Sequence, residues 1–148
     1  MELSVAEEHR DFGPARIAKP NEPDADAVRK VARSSPALYI SAFSIAELAC
    51  VFHRRVRENA LPESAAITLR DAFLEDVQNE VWMLLPVTEH LLRKVEFLTR
   101  NLSSTVFLRA GDAIHIMSAM EAGFNEIWTN DRHLLAAAAH FGLKGRSC

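Results

Sequence analysis

The sequence predicts one α/β domain in which a small parallel sheet is flanked by helices on both faces. Three observations lead to this fold class. The chain has 148 residues, a usual length for a single domain. Short β-rich runs alternate with longer segments of helical periodicity, and neither an internal repeat nor a linker divides the chain. Strands separated by helices or helix pairs indicate a parallel sheet in a three-layer arrangement.

Local signals place the individual elements. Pro62 stands where a first-turn proline would open a helix, Thr88 precedes a helical segment, and Gly123 follows one. The segment 44–59 has a single apolar stripe, formed by Ile45, Leu48, Phe52 and Val56. The expected strands are 37–41, 81–87 and 126–130, and the expected helices are 24–34, 44–59, 62–80, 88–101, 111–122 and 131–141.

Composition and charge exclude several classes of protein. Hydrophobic residues make up 49% of the chain and charged residues 25%, as in ordinary soluble domains. No apolar run approaches the roughly 20 residues that cross a bilayer, and the acidic first residues do not resemble a signal peptide. Cys50 and Cys148 form neither a metal-type spacing nor a disulfide framework. The net charge of −3 argues against gripping nucleic acid by bulk charge alone. We therefore expect a cytoplasmic protein without a membrane segment.

Acidic side chains stand near the starts of three predicted helices. Glu47 follows Ser44 at the spacing of a capping box. Asp112 lies in the first turn of its helix, and Asp131 directly follows a strand. Helix capping or the favourable N-terminal dipole explains each acid taken alone. Two of the three acids also follow strand ends, at the edge where α/β sheets bind ligands, so the three can share one cleft.

Two interpretations of these acids remain open at this point. Converging carboxylates repel one another unless a cation neutralises them, and ligands that are all oxygen suit Mg²⁺ or Mn²⁺. Such an ion supports hydrolysis of phosphodiester bonds. Alternatively, the acids only cap helices in a scaffold of unrelated function, which requires Glu47, Asp112 and Asp131 to lie far apart.

Longer motifs surround the three acids: ISAFSIAEL, LRAGDAIHIMSAMEAG and EIWTNDRHLLAAAAHFGLK. From about Asn21 to Gly145 the chain resembles PIN-domain proteins, specifically the VapC-type toxins of bacterial toxin–antitoxin pairs. The resemblance implies a PIN-like three-layer fold and a metal-dependent endoribonuclease. It implies Glu47, Asp112 and Asp131 as catalytic acids around Mg²⁺ or Mn²⁺. It also implies an RNA substrate, a small antitoxin protein as partner, and a homodimer.

The N-terminal segment departs from the family pattern, in which a hydrophobic strand ends in an aspartate. Asp11 lies at about the expected distance and is the candidate for a further metal ligand. Charged neighbours such as Glu7 and Arg10 oppose a buried strand, and Gly13 and Pro14 oppose the helix that should follow. We therefore expect an atypical segment at 1–20, a PIN-like domain at 21–148, and a first strand that is missing or disrupted.

Further candidate residues lie close to the acids. Arg109 precedes the helix of Asp112 and Thr129 ends a strand, so either side chain can contact an RNA phosphate. A free surface arginine and a structural threonine are the simpler interpretations. His115 lies one turn after Asp112, where we expect it to bond an acid or pack in the core rather than bind metal.

A rival function follows from the atypical N-terminal segment. If the first acid is lost, the chain is a catalytically impaired PIN-like remnant that acts only through antitoxin binding or dimerisation. The position of Asp11 relative to the other acids distinguishes the two functions.

Overall fold

The computed structural model describes residues 5–7 and 37–147, which form a mixed five-stranded sheet with helices on both faces. The strands are β1 (Val5–Glu7), β2 (Leu38–Ser41), β3 (Trp82–Leu85), β4 (Glu126–Trp128) and β5 (Lys144–Arg146). Their order in the sheet is β3-β2-β1-β4-β5. The β2–β3 and β4–β5 pairs are parallel, whereas β1 is antiparallel to both of its neighbours. The predicted α/β class is confirmed.

The helices between the strands begin and end close to the predicted positions. They are α1 (Phe43–Arg57), α2 (Glu63–Gln78), α3 (Glu89–Arg100), α4 (Ala110–Glu121) and α5 (Arg132–Ala138), followed by a 3₁₀ turn (Ala139–Phe141). Thr88 caps α3 as predicted, since its side-chain oxygen accepts a hydrogen bond from the Leu91 amide at 3.1 Å. Gly123 follows α4 with a φ of +79°, a conformation that favours glycine. In the described part of the chain, no helix has the length and apolarity to cross a membrane.

The alternation of side chains along the strands explains why both faces are covered. Leu38 and Ile40 of β2 pack in one cluster with residues of α1, α2 and β3. Tyr39 points the other way and lies against Phe124, with ring centres 5.0 Å apart. That second face is covered by α4 and α5. The three-layer arrangement follows.

Helix α4 is the most enclosed helix of the described chain. Every residue from Asp112 to Ala119 is buried. Ile116 packs in the cluster shared with β4 and α5, while Ile114 and Met117 pack in the cluster shared with α3. A helix held on both sides has little freedom to shift, so the first turn of α4 is a firm support for Asp112.

Two strands correct the expectation from sequence. The segment that contains Glu7 was expected to resist strand formation, yet Val5–Glu7 pairs with both β2 and β4. The backbone groups of β2 and β4 need partners, and even three residues supply some of them. The strand is nevertheless short and antiparallel, so the expected disruption takes that form. Strand β5 was not predicted. The helix expected at 24–34 and the candidate ligand Asp11 lie outside the described residues.

Strand β5 is tied to β4 by an ion pair that gives a pH-dependent prediction. Glu126 accepts hydrogen bonds from Arg146 at 2.9 and 3.2 Å, which hold the pKa of the Glu126 carboxyl below its ordinary value. A depressed folded-state pKa stabilises the fold above the unfolded pKa of about 4.3 and ceases to do so as the pH falls through the folded value. We expect Glu126→Gln to lower the free energy of unfolding by up to about 1 kcal/mol at pH 7.

The difference in the free energy of unfolding between wild type and Glu126→Gln should shrink as the pH falls below about 4. Urea unfolding at a series of pH values measures this difference. Glu89→Gln is the matched control, because Glu89 also pairs with an arginine but both side chains are more than three-quarters exposed. A gap between wild type and Glu126→Gln that persists unchanged at low pH would contradict the prediction.

Candidate functional site

Asp131 lies where β4 passes into α5, at the carboxyl end of the strand. Its Oδ1 accepts hydrogen bonds from the amides of His133 at 2.8 Å and Leu134 at 3.3 Å, so it caps α5 as predicted. The Asp131 amide in turn donates to the Thr129 hydroxyl at 3.1 Å. Thr129 is buried and shapes this turn, which matches the structural alternative considered for it. Its contact with a substrate stays a prediction.

Asp112 lies in the first turn of α4, with its side chain only 11% exposed. Its Oδ2 accepts a hydrogen bond from the Arg109 amide at 3.2 Å, which closes the start of the helix. The same carboxylate also receives the Arg109 side chain, through Nε at 2.8 Å and Nη2 at 3.3 Å. Asp112 is therefore both a helix-start residue and one half of an ion pair.

The guanidinium of Arg109 joins the two aspartates. While it pairs with Asp112, its Nη2 also donates to Oδ2 of Asp131, so one guanidinium is shared by the carboxylate of Asp112 in α4 and that of Asp131 at the N-cap of α5. The two pairings raise the pKa of Arg109 above its ordinary value, with the bond to Asp112 contributing most. The Arg109 side chain is half exposed, so solvent reaches the cation. Its predicted contact with RNA phosphate stays a prediction.

The environment of Asp131 favours its charged form. Burial raises the pKa of this carboxyl, but the hydrogen bonds from Arg109 and from the two backbone amides outweigh burial, and the net pKa lies below the ordinary value. Asp131 is accordingly a carboxylate at neutral pH and can bind a cation.

Glu47 reaches this region from α1. Its Oε2 lies 2.7 Å from Nε2 of His115, which is almost fully buried one turn after Asp112. A Cβ atom at Gly111 would lie 3.0 Å from Oε1 of Glu47, so any other residue there would shift the carboxylate slightly away from α4. The acid of α1 thus contacts α4 on either side of Asp112.

The capping box expected between Ser44 and Glu47 is not formed. Helix α1 begins one residue earlier than predicted, at Phe43, and its N-cap position is Ala42, which has no side-chain acceptor. Glu47 therefore lies beyond the reach of the helix start, and its carboxylate bonds to His115 instead. The expectation that His115 bonds an acid is confirmed, although that acid belongs to another helix.

The three predicted acids lie in one region of the fold. Asp112 and Asp131 share the Arg109 guanidinium, and Glu47 contacts the residues beside Asp112. This proximity contradicts the interpretation that required the acids to lie far apart. Within residues 5–7 and 37–147, however, no three His, Cys, Asp or Glu side chains are arranged as a metal-binding group. The described residues fit a divalent ion only in part. Asp112 and Asp131 lie close enough to share the Arg109 guanidinium, but Glu47 is bonded to His115 instead.

Gly111 and the pairing of Arg109 were missed by sequence reasoning. A signal for the pairing was present, because arginine and aspartate three residues apart at a helix start lie on one side of the helix. No comparable signal exists for Gly111, whose importance depends on the approach of Glu47 from another helix.

A comparison with protein-family models identifies the family of the chain. The model of the PIN domain matches residues 17–140, which is most of the chain. No curated protein and no solved structure matches the sequence. The chain therefore belongs to the PIN-domain family, whose members are generally nucleases that typically use divalent metal ions.

Proposed function

We propose that this protein is a metal-dependent endoribonuclease that acts as the toxin of a toxin–antitoxin pair. The observation that carries the proposal is that Asp112 and Asp131 lie close enough to share the Arg109 guanidinium, at the carboxyl end of β4. That edge is where sheets of this class bind ligands. Membership of the PIN family supports nuclease chemistry, and the resemblance of the acidic motifs to VapC-type toxins supports RNA as the substrate.

Asp112, Asp131 and Glu47 would hold Mg²⁺ or Mn²⁺ in this proposal. Asp11, outside the described residues, is the proposed further ligand. A bound ion of this kind polarises a phosphate and lowers the pKa of an attacking water. Since both oxygens of Asp112 accept hydrogen bonds from Arg109, a bound ion would compete with this guanidinium for Asp112, whereas Glu47 would keep its bond to His115 through Oε2. The proposed antitoxin partner and homodimer rest on the resemblance alone.

The remnant that binds a partner without cutting RNA is the second candidate. The observation in its favour is that Asp112 and Asp131 pair with the protein's own Arg109, that Glu47 bonds to His115, and that no three-residue metal group forms among the described residues. A chain that already satisfies its acids internally has less need of a metal for stability.

Cleavage assays separate the two candidates. Purified protein is incubated with a structured RNA, or with DNA of the same sequence, in the presence of Mn²⁺ or Mg²⁺. We expect cleavage of the RNA that stops when EDTA is added and that is lost in Asp112→Asn. Cleavage that survives both EDTA and Asp112→Asn would overturn the metal mechanism. Partner binding without cleavage at any metal concentration would favour the remnant.

A further inference from the structure

An exposed aromatic ring borders the pair of aspartates. Phe107, in the connector that precedes α4, is 56% exposed. Its ring centre lies 4.4 Å from that of His133, with an angle of 43° between the ring planes. The guanidinium carbon of Arg109 lies 5.8 Å from the Phe107 ring centre. The ring is thus held by two residues that also bond to Asp131, one through its side chain and the other through its backbone.

Cationic and polar groups accompany this ring. Arg132, the first residue of α5, is exposed and its Nε lies 3.4 Å from Nε2 of His133. Phe107, Arg132 and His133 together form what we call the aromatic rim. The chain as a whole has a net charge of −3, yet the aromatic rim places an aromatic ring and the exposed cation of Arg132 next to Asp131.

Single-stranded nucleic acid matches this combination of groups. Its phosphates pair with cations, and its unpaired bases stack on aromatic rings regardless of their identity. A peptide partner would also use an exposed phenylalanine, but the position beside the acids of a nuclease family favours the nucleic-acid substrate.

We propose that Phe107, packed against His133, forms a stacking platform for one unpaired nucleobase of the RNA substrate, with Arg132 contacting a neighbouring phosphate. The platform rests on the proposed function, because the acids would act on the phosphodiester next to the stacked base. It adds a substrate-binding site that selects single-stranded segments, since a base held in a duplex cannot lie flat on Phe107.

Binding is measured by the fluorescence anisotropy of a labelled single-stranded oligoribonucleotide, with Asp112→Asn protein so that cleavage does not interfere. We expect Phe107→Ala in this background to raise Kd about fivefold or more, and Phe107→Trp to retain binding. Phe97→Ala is the matched control, because Phe97 lies on α3 and is 63% exposed. In protein that retains Asp112, Phe107→Ala should raise KM and leave kcat within about twofold.

Oligonucleotides with an abasic site at successive positions locate the stacked base. At one position, loss of the base should weaken binding to protein that retains Phe107. The same loss should not weaken binding to Phe107→Ala, because that variant already lacks the ring on which the base stacks. Equal effects of base removal in both proteins at every position would overturn the platform.

The remaining outcomes separate the platform from the proposed function. If wild type cleaves RNA and Phe107→Ala behaves as Phe97→Ala does, the platform is wrong and the nuclease stands. If the labelled RNA binds through Phe107 but wild type cleaves nothing, the platform stands and the nuclease is wrong. If Phe107→Ala converts a dimer into a monomer without changing Kd, the ring belongs to an interface between two copies. Absence of both binding and cleavage overturns both proposals.

Discussion

Replacing Asp131 with asparagine is expected to lower the rate of RNA cleavage at least about 100-fold while the protein remains folded. Even an outer hydrogen-bonding partner of a metal ligand contributes about 10–100-fold, and Asp131 is proposed to bind the metal directly. Asparagine keeps the oxygen that accepts hydrogen bonds from His133 and Leu134, and it caps helices about as well as aspartate. The lost charge, rather than a lost cap, then accounts for the lost activity.

Asp131→Ala separates the two roles of this residue. Alanine removes the cap as well as the charge, so we expect a further loss of about 1 kcal/mol in the free energy of unfolding relative to Asp131→Asn. Cleavage assays and urea unfolding of both variants measure the two effects. Thr88→Ala is the matched control, because it removes the cap of α3 and should lower stability by about 1 kcal/mol without slowing cleavage. Cleavage by Asp131→Asn at the wild-type rate would leave Asp131 with the capping role alone.

Helix ends are the part of the fold that local sequence predicts best. Thr88, Asp131 and Gly123 act within one turn of their own position, so the residue type and its immediate neighbours are sufficient to identify them. The short strands behave differently. Val5–Glu7 and Lys144–Arg146 are too short to show periodicity, and their formation depends on backbone partners that come from distant parts of the chain.

Residue types and helix starts singled out the candidate acids, but not the contacts that they make. Asp112 and Asp131 lie at helix starts as expected and share the Arg109 guanidinium, whereas Glu47 lies beyond the start of its helix and bonds to His115. Which partner bonds to each acid depends on contacts between helices. Glu47 bonds to a histidine 68 positions away, and Asp131 to an arginine 22 positions away. No local pattern specifies such contacts.

Arg109 gives the second large prediction, because its guanidinium lies on the carboxylates proposed to bind a metal. A divalent ion must compete with this cation for Asp112 and Asp131. The pairings hold the pKa of Arg109 above its ordinary value, so raising the pH within the stable range does not remove the competition. We expect Arg109→Gln to bind Mn²⁺ at least about tenfold more tightly than wild type, since it removes a positive charge within hydrogen-bonding distance of both ligands.

Isothermal titration calorimetry of wild type and Arg109→Gln measures this difference without any assay of activity. Arg109→Lys is the matched control, since it keeps the positive charge and should keep most of the competition. In EDTA, Arg109→Gln should melt at a lower temperature than wild type, because Asp112 and Asp131 then repel each other without a cation between them. Added Mn²⁺ should raise the melting temperature of Arg109→Gln more than that of wild type. Weaker Mn²⁺ binding by Arg109→Gln would contradict competition and would show instead that Arg109 positions the two carboxylates for the metal.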